Sequence, residues 1–479
     1  MPAVDSLLRG LAANPALPAD LVDVLIAQAG PVLADELASR PDLTRAQTRA
    51  LFAQGPECGV ALARAGRLTA ADVDPMARPD VALALLEEGA GEAGLARVLA
   101  RSAVVEHRER LAACSGLPDD VVALLAADGA EGVVAELALW APAEVAARLA
   151  GHASAAVRRA AACNEATPPA VLAALLTRDG LASLAEAEPC AEPRAIRDAA
   201  LLNPATPVSA ILPHLDHEAV WPSWGPASRT DLPPEAYELL AGHLVPGVRE
   251  TVAQNRAITE SLLHRLAEDT HELVRRGAAH NPRLPLALLD RLTATTKLGP
   301  GVLPRIAAAT PGETEQLARS RNPELRMLVA GRRDLPPRIR DLLAEDPDAK
   351  VAKSIAPHPG LTESQLRAMA ERHGSRVYAK VTENQATPSS LLEELAAKST
   401  PVRKALRAIA RHPHATDAAL RVCLTDVQAR VPAASHPALA PSTLAALLDH
   451  ADWQVVEAAA AHPALPRERL RELVSAQLP

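Results

Sequence analysis

The sequence predicts an all-α chain, an α-solenoid of about 17–18 short two-helix units. Three observations carry this. A phrase built around Asn-Pro or His-Pro recurs along the whole chain, mostly at steps of 23–28 residues. A Leu-Leu-x-x-Leu stripe follows the phrase. Finally, 103 Ala and 70 Leu make up more than a third of the 479 residues, against four Trp, two Tyr and one Phe. A core of this size ordinarily takes much of its buried area from aromatic rings. Here Leu, Val and Ala must supply it, which suits many thin contacts between short helices.

The phrase reads Asn14-Pro15-Ala16-Leu17-Pro18, Asn281-Pro282-Arg283-Leu284-Pro285, His358-Pro359-Gly360-Leu361-Thr362, His436-Pro437-Ala438-Leu439-Ala440 and His462-Pro463-Ala464-Leu465-Pro466. Looser copies begin at Asn164, Asn203, Asn255 and Asn384. Two steps, from 66 to 116 and from 282 to 333, are about double, which places one degenerate copy in each; the step from 165 to 204 is 39 residues. The first helix of a unit carries apolar residues at i, i+1 and i+4, as in Leu262-Leu263-Leu266 and Leu391-Leu392-Leu395, a narrow helical stripe. Pro suits its first position, and Thr167, Thr206 and Thr387 just before it are candidate caps. Asp269-Thr270-His271-Glu272 reads as a capping box opening the second helix.

In that second helix, Val157, Val248, Val274, Val351, Val377 and Val455 stand seven residues before the Asn or His. Small residues follow, as in Gly277-Ala278-Ala279, so neighbouring units can approach closely. The Asn/His-Pro pair then ends the helix, because Pro keeps its predecessor out of the helical region. A helix of two or three turns cannot stand alone, so copies must stack. The repeat resembles that of the leucine-rich repeat variant family, with its Asn-Pro-x-Leu-Pro phrase and Leu-Leu-x-x-Leu helix. The resemblance covers nearly the whole chain. It implies alternating α- and 3₁₀-helices in a right-handed superhelix and a role as an interaction scaffold. Some relatives carry a Cys-rich iron–sulfur segment before the repeats; here the first cysteine is Cys58, inside the array, so no such cofactor is expected. HEAT-like repeats are the neighbouring possibility, with longer units of ~40–47 residues.

Three segments are expected: an acidic half-array at 1–204, an irregular Trp- and Pro-rich elbow at 205–239, and a more basic half-array at 240–479. Residues 1–239 carry 18 basic and 32 acidic groups, and residues 240–479 carry 32 and 26, for net charges of −14 and +6. No stretch has 18 uninterrupted apolar residues, so no membrane span is expected. The first residues lack the pattern of a secretory signal. Cys58, Cys114, Cys163, Cys190 and Cys423 are scattered and odd in number, which argues against a disulfide framework or a metal cluster. A reducing cytoplasm is the expected location. The excess of Arg (44) over Lys (6) points to a GC-rich bacterial genome.

Gly89-Ala90-Gly91-Glu92-Ala93-Gly94 matches a dinucleotide fingerprint, but a helical pattern precedes it where a strand is required, so it is read as a turn. His358, His412, His436 and His462 share one repeat position. Units ~8–10 Å apart are too far for ligands of one zinc ion at ~2 Å. A side chain that hydrogen-bonds the turn backbone explains both His and Asn there. His214-Leu215-Asp216-His217 lacks a third ligand and is read as a surface turn, and Cys114 and Cys163 as small buried residues. Trp221 and Trp224, in a Pro/Gly-rich stretch, either pin a loop to the array or anchor a partner. Arg249, Arg275, Arg326 and Arg430, with Arg158 before them, follow the Val slot and line up as a stripe, a candidate for holding phosphates or carboxylates. No catalytic, metal or cofactor motif stands out. The expected function is therefore a non-enzymatic scaffold binding a protein or peptide along its curved face. The rival is a HEAT-like nucleic-acid binder using the Arg stripe, against which the scarcity of basic charge and of rings counts.

Overall fold

The computed structural model describes every residue except 1, 29, 178–191, 216–223, 300 and 478–479. Among the described residues all regular structure is helical: short α-helices of four to twelve residues, with four 3₁₀ turns. The chain forms two compact units, residues 1–67 with 299–479, and residues 68–298. These bounds differ from the expected halves, and the expected elbow at 205–239 lies inside the second unit.

One interior repeat shows how the sequence builds the fold. Thr259 accepts the Leu262 N–H and starts the first helix, Glu260–Ala267, whose Leu262, Leu263 and Leu266 are buried. The second helix, Glu272–Ala279, buries Val274, Gly277, Ala278 and Ala279. It packs against the second helix of the preceding repeat, Pro246–Gln254. The glycine allows this closeness, because a Cβ on Gly277 would lie 2.8 Å from the Glu250 carbonyl oxygen. Core residues are therefore Leu from first helices, and Val and Ala from second helices, repeated along each unit.

Both doubled intervals contain a degenerate repeat. One centres on Gly89, with φ +71°, which ends the helix Pro79–Glu87 while Ala90 N–H reaches the Leu85 carbonyl. The other is Thr310-Pro311, where Thr310 and Glu313 form a full capping box on the helix Pro311–Ala318.

Four expected caps have other duties. Thr167, Thr206 and Thr387 donate backwards to the carbonyls of Ala161, Ala200 and Val381. They stand three positions after the Asn. Thr259, Thr362 and Thr416, four positions after the Asn or His, are the true N-caps. Asp269 does not cap either: it accepts the His271 N–H in the turn, and His271 caps the second helix.

In the unit formed by residues 1–67 and 299–479, the chain termini meet. The helix Pro2–Ala13 packs on Trp453–Ala460, as Glu272–Ala279 packs on Pro246–Gln254. It also touches the last helix, Arg467–Gln477. That last helix has the place of a first helix, following the His462 phrase, and Pro2–Ala13 has the place of a second helix, preceding Asn14. The two ends together make one repeat.

Candidate functional site

Two polar ladders hold most of the residues singled out by the sequence. The first ladder is the Asn/His position. Asn281 is fully buried and donates through Nδ2 to the carbonyls of Ala253 and Asn255, both at 2.9 Å, while its Oδ1 accepts the Arg283 N–H at 2.9 Å. Asn164, Asn203, Asn255 and Asn384 repeat this pattern, each reaching back to the preceding repeat. His412, His436 and His462 do the same with a ring. Each Nδ1 accepts an N–H two residues on at 3.1 Å, and each Nε2 reaches the carbonyl of the preceding ladder residue at 2.9–3.0 Å. Burial keeps His412 below the usual imidazole range, helped by its neighbours His414 and His436 and opposed by the bond to Asn384. A neutral ring offers one donor and one acceptor, which is what the position requires. Arg40 and Arg332 fill the same position, each paired with an Asp two residues on and donating to carbonyls of the repeat before. Among the described residues no group of three or more metal-ligating side chains occurs.

The second ladder contains the expected Arg stripe, and at Arg249 and Arg326 its forks are fully occupied. Arg249 sends Nη1 to the His243 carbonyl at 2.8 Å and binds Asp269 with Nε and Nη2 at 2.9 and 3.0 Å. Arg326 does the same with the Ser320 carbonyl and Asp346, at 2.7 and 3.1 Å. Arg275 holds the Asp269 carbonyl and reaches Thr296. Arg430 pairs with Asp452 at 3.2 Å, and Arg158 is buried with Nη1 on the carbonyls of His152 and Ala153. Arg158, Arg249, Arg275 and Arg326 each tie the turn of their own repeat, and Arg249, Arg326 and Arg430 clamp the turn of the next. The stripe is thus a structural clamp, and its planar forks face protein carboxylates and carbonyls instead of a ligand. Arg108 with Asp128, at 2.6 and 3.0 Å, is a member that the sequence reading missed. The signal was present: Arg108/Asp128, Arg249/Asp269 and Arg326/Asp346 all share one spacing. Hydrogen bonding from Arg108 holds Asp128 below the usual carboxylate range; at Asp269 burial is the largest single influence and pushes upwards, and the Arg249 bonds, the His271 N–H and the nearby positive charge together hold it below that range.

Trp221 lies outside the described residues. Trp224 begins the helix Trp224–Ser228 and is half-buried against the helix Pro246–Gln254, where a Cβ on Gly247 would come within 2.7 Å of its ring. It serves as a packing wedge. His214 Nε2 lies 3.1 Å from the Leu176 carbonyl; Asp216 and His217 are outside the described residues. Cys114 is buried and its thiol is pushed up to about 11 by burial, as expected for an inert core cysteine. Cys163 is exposed, contrary to the expectation of burial, because it ends the helix Ala155–Cys163 at the edge of a groove. Cys190 is not among the described residues.

That groove lies in the 68–298 unit. It has a volume of about 760 Å³ and crosses four consecutive second helices: Val105–Ala112, Glu131–Trp140, Ala155–Cys163 and Glu192–Leu202. Its floor is small and apolar, from Ala135, Ala156, Ala160, Ala195 and Ala199, with Leu139 and Leu202 beside them. Charges of both signs line it, among them Glu109, Arg110, Glu136 and Arg159. Leu202 is 49% exposed, and Trp140, on the same helix as Leu139, is 63% exposed with Nε1 held by Glu136 at 3.0 Å. The sequence could not show this groove, because it depends on which small residues of four separate helices share a face.

No helix among the described residues is long and apolar enough to cross a membrane. No family model matches the chain, and neither does any curated protein. One solved structure that it matches, described as the crystal structure of an engineered protein, aligns over 99% of both chains at 16% identity and a TM-score of 0.18. At that score the likeness carries no argument, and the fold assignment rests on the helices and ladders themselves.

Proposed function

We propose that the chain is a non-enzymatic protein-binding scaffold, of the leucine-rich repeat variant type, that takes a polypeptide segment in the groove across its second helices. The observation that supports this is the groove's composition. Small apolar side chains let a partner's backbone approach closely, the exposed Leu202 borders it, and charges of both signs suit a polypeptide better than a phosphate backbone. The nucleic-acid reading loses the feature that recommended it, since the Arg stripe is engaged within the protein. The test is selection of binding peptides from a displayed library on the full chain, followed by measurement of their affinity for Ala160→Arg. The reading expects a loss of at least about tenfold, 1.4 kcal/mol, with the helical signal unchanged. Selected peptides that bind the variant as well as the wild type would remove the groove from the account.

A further inference from the structure

The repeat shared by the two chain ends is built to the same register as an interior one. Asn14 donates through Nδ2 to the carbonyls of Ala460 and His462, at 2.8 and 2.9 Å, and accepts the Ala16 N–H at 2.8 Å. Asn281 makes the same three bonds to the repeat before it. Gly10 stands four residues before Asn14, as Gly277 stands four before Asn281. A Cβ on Gly10 would lie 2.3 Å from the Glu457 carbonyl oxygen, the counterpart of Glu250. Leu7 and Leu11 are buried on one side of the same helix, and Val455, Val456, Leu470 and Val474 are buried in the two C-terminal helices.

One thing distinguishes this repeat from its interior counterparts. No peptide bond joins its first helix, Arg467–Gln477, to its second, Pro2–Ala13. The contact holds by packing, by the Asn14 bonds and by a long ion pair of Arg471 with Asp20 at 3.7 Å, so it opens without straining any turn. Every bond it makes is also available from an identical segment of another molecule, and domain exchange of this kind costs little.

We propose that the C-terminal face made by Trp453–Ala460 and Arg467–Gln477 is a docking surface for an N-terminal segment of this chain, filled in cis by residues 2–14 and open to the same segment of a second copy. The recognition elements are a small residue at position 10, Leu7 and Leu11 on the helix, and the Asn14 amide. Intramolecular occupancy is favoured by its effective concentration, which is in the millimolar range for a tethered segment, so exchange needs the cis segment to be weakened.

The probe is a fluorescent synthetic peptide of residues 2–16, titrated by anisotropy against the full chain and against the full-length double variant Gly10→Val/Asn14→Ala. The expected result is saturable binding to the variant at least about tenfold tighter than to wild type. A peptide carrying Gly10→Val should lose that binding. Peptide that binds both proteins alike, or neither, overturns the proposal, as does equal binding of the Val-bearing peptide. If circular dichroism shows the double variant unfolded, full-length Asn14→Ala serves in its place, with the same expected and overturning results.

Discussion

Replacing Asn281 tests the first ladder quantitatively. The side chain is fully buried and makes three hydrogen bonds to backbone, two as donor and one as acceptor. Asn281→Ala leaves the Ala253 and Asn255 carbonyls and the Arg283 N–H without it. At about 1 kcal/mol net for each bond, the expected cost is about 3 kcal/mol. Asn281→His should cost only about 1 kcal/mol, because the ring at the equivalent positions of His436 and His462 keeps two of the three bonds. Asn281→Asp should be the worst of the three, as it turns a carboxylate towards two carbonyl oxygens. Urea unfolding followed by circular dichroism gives the ranking. Native-state hydrogen exchange across residues 246–292 shows whether the loss is local, since repeat arrays need not unfold in one step. An alanine variant within about 0.5 kcal/mol of wild type, or a histidine variant no better than alanine, would refute the reasoning.

Further outcomes follow from the same geometry. Arg249→Leu, which leaves the half-buried Asp269 without its fork, should destabilise by about 2–3 kcal/mol, and Arg249→Lys should recover only part of that, because a point charge cannot replace two parallel bonds; urea midpoints decide both. Asp269 titrates below its usual value in the folded protein, so its contribution is present above the ordinary carboxylate pKa and is lost as pH falls through the lower folded value; the acid dependence of unfolding should shrink in Arg249→Leu. His412 is likewise held below its usual value, so folding is favoured above about pH 6.5 and weakens as pH falls through the lower folded value; His412→Asn should flatten that part of the profile, measured by melting temperature between pH 7 and pH 5. Burial, and to a lesser extent Glu36, raise the Glu457 carboxyl despite Arg9, so the contact between the chain ends should tighten as pH falls through that raised value; Glu457→Gln should abolish the dependence seen in hydrogen exchange of residues 453–474.

The repeat was legible because it is written in local chemistry. Leu262, Leu263 and Leu266 mark a buried stripe, and Asn281 or His462 marks a turn that any reader of hydrogen-bonding capacity can interpret. The Arg stripe was legible as a row but not as a clamp. Arg249 and Asp269 belong to different repeats, and seeing them as partners requires knowing that one repeat's turn lies beside the second helix of the repeat before it. Asp269 was mistaken for a cap for the same reason: besides the local His271 N–H it takes the fork of Arg249, which is remote in sequence. Thr167 and Thr259 differ by a single position after the Asn, yet one faces inward and the other starts a helix, a distinction made by backbone direction alone. The groove was invisible because Ala135, Ala160 and Ala199 look like every other alanine until their helices are placed side by side. The shared terminal repeat could have been found, since Gly10 and Asn14 copy Gly277 and Asn281 at the same spacing, with the first helix of that repeat supplied from the other end of the chain.

Each repeat, in this account, is held by what the next repeat's ladder residue donates to it, and the chain ends obey the same rule. Hydrogen exchange on a chain lacking residues 1–16 tests this most directly. The prediction is faster exchange across residues 453–474, where the Asn14 bonds and the Leu7 and Leu11 packing have been removed, with residues 246–292 unchanged. Unaltered protection at 453–474 would contradict it.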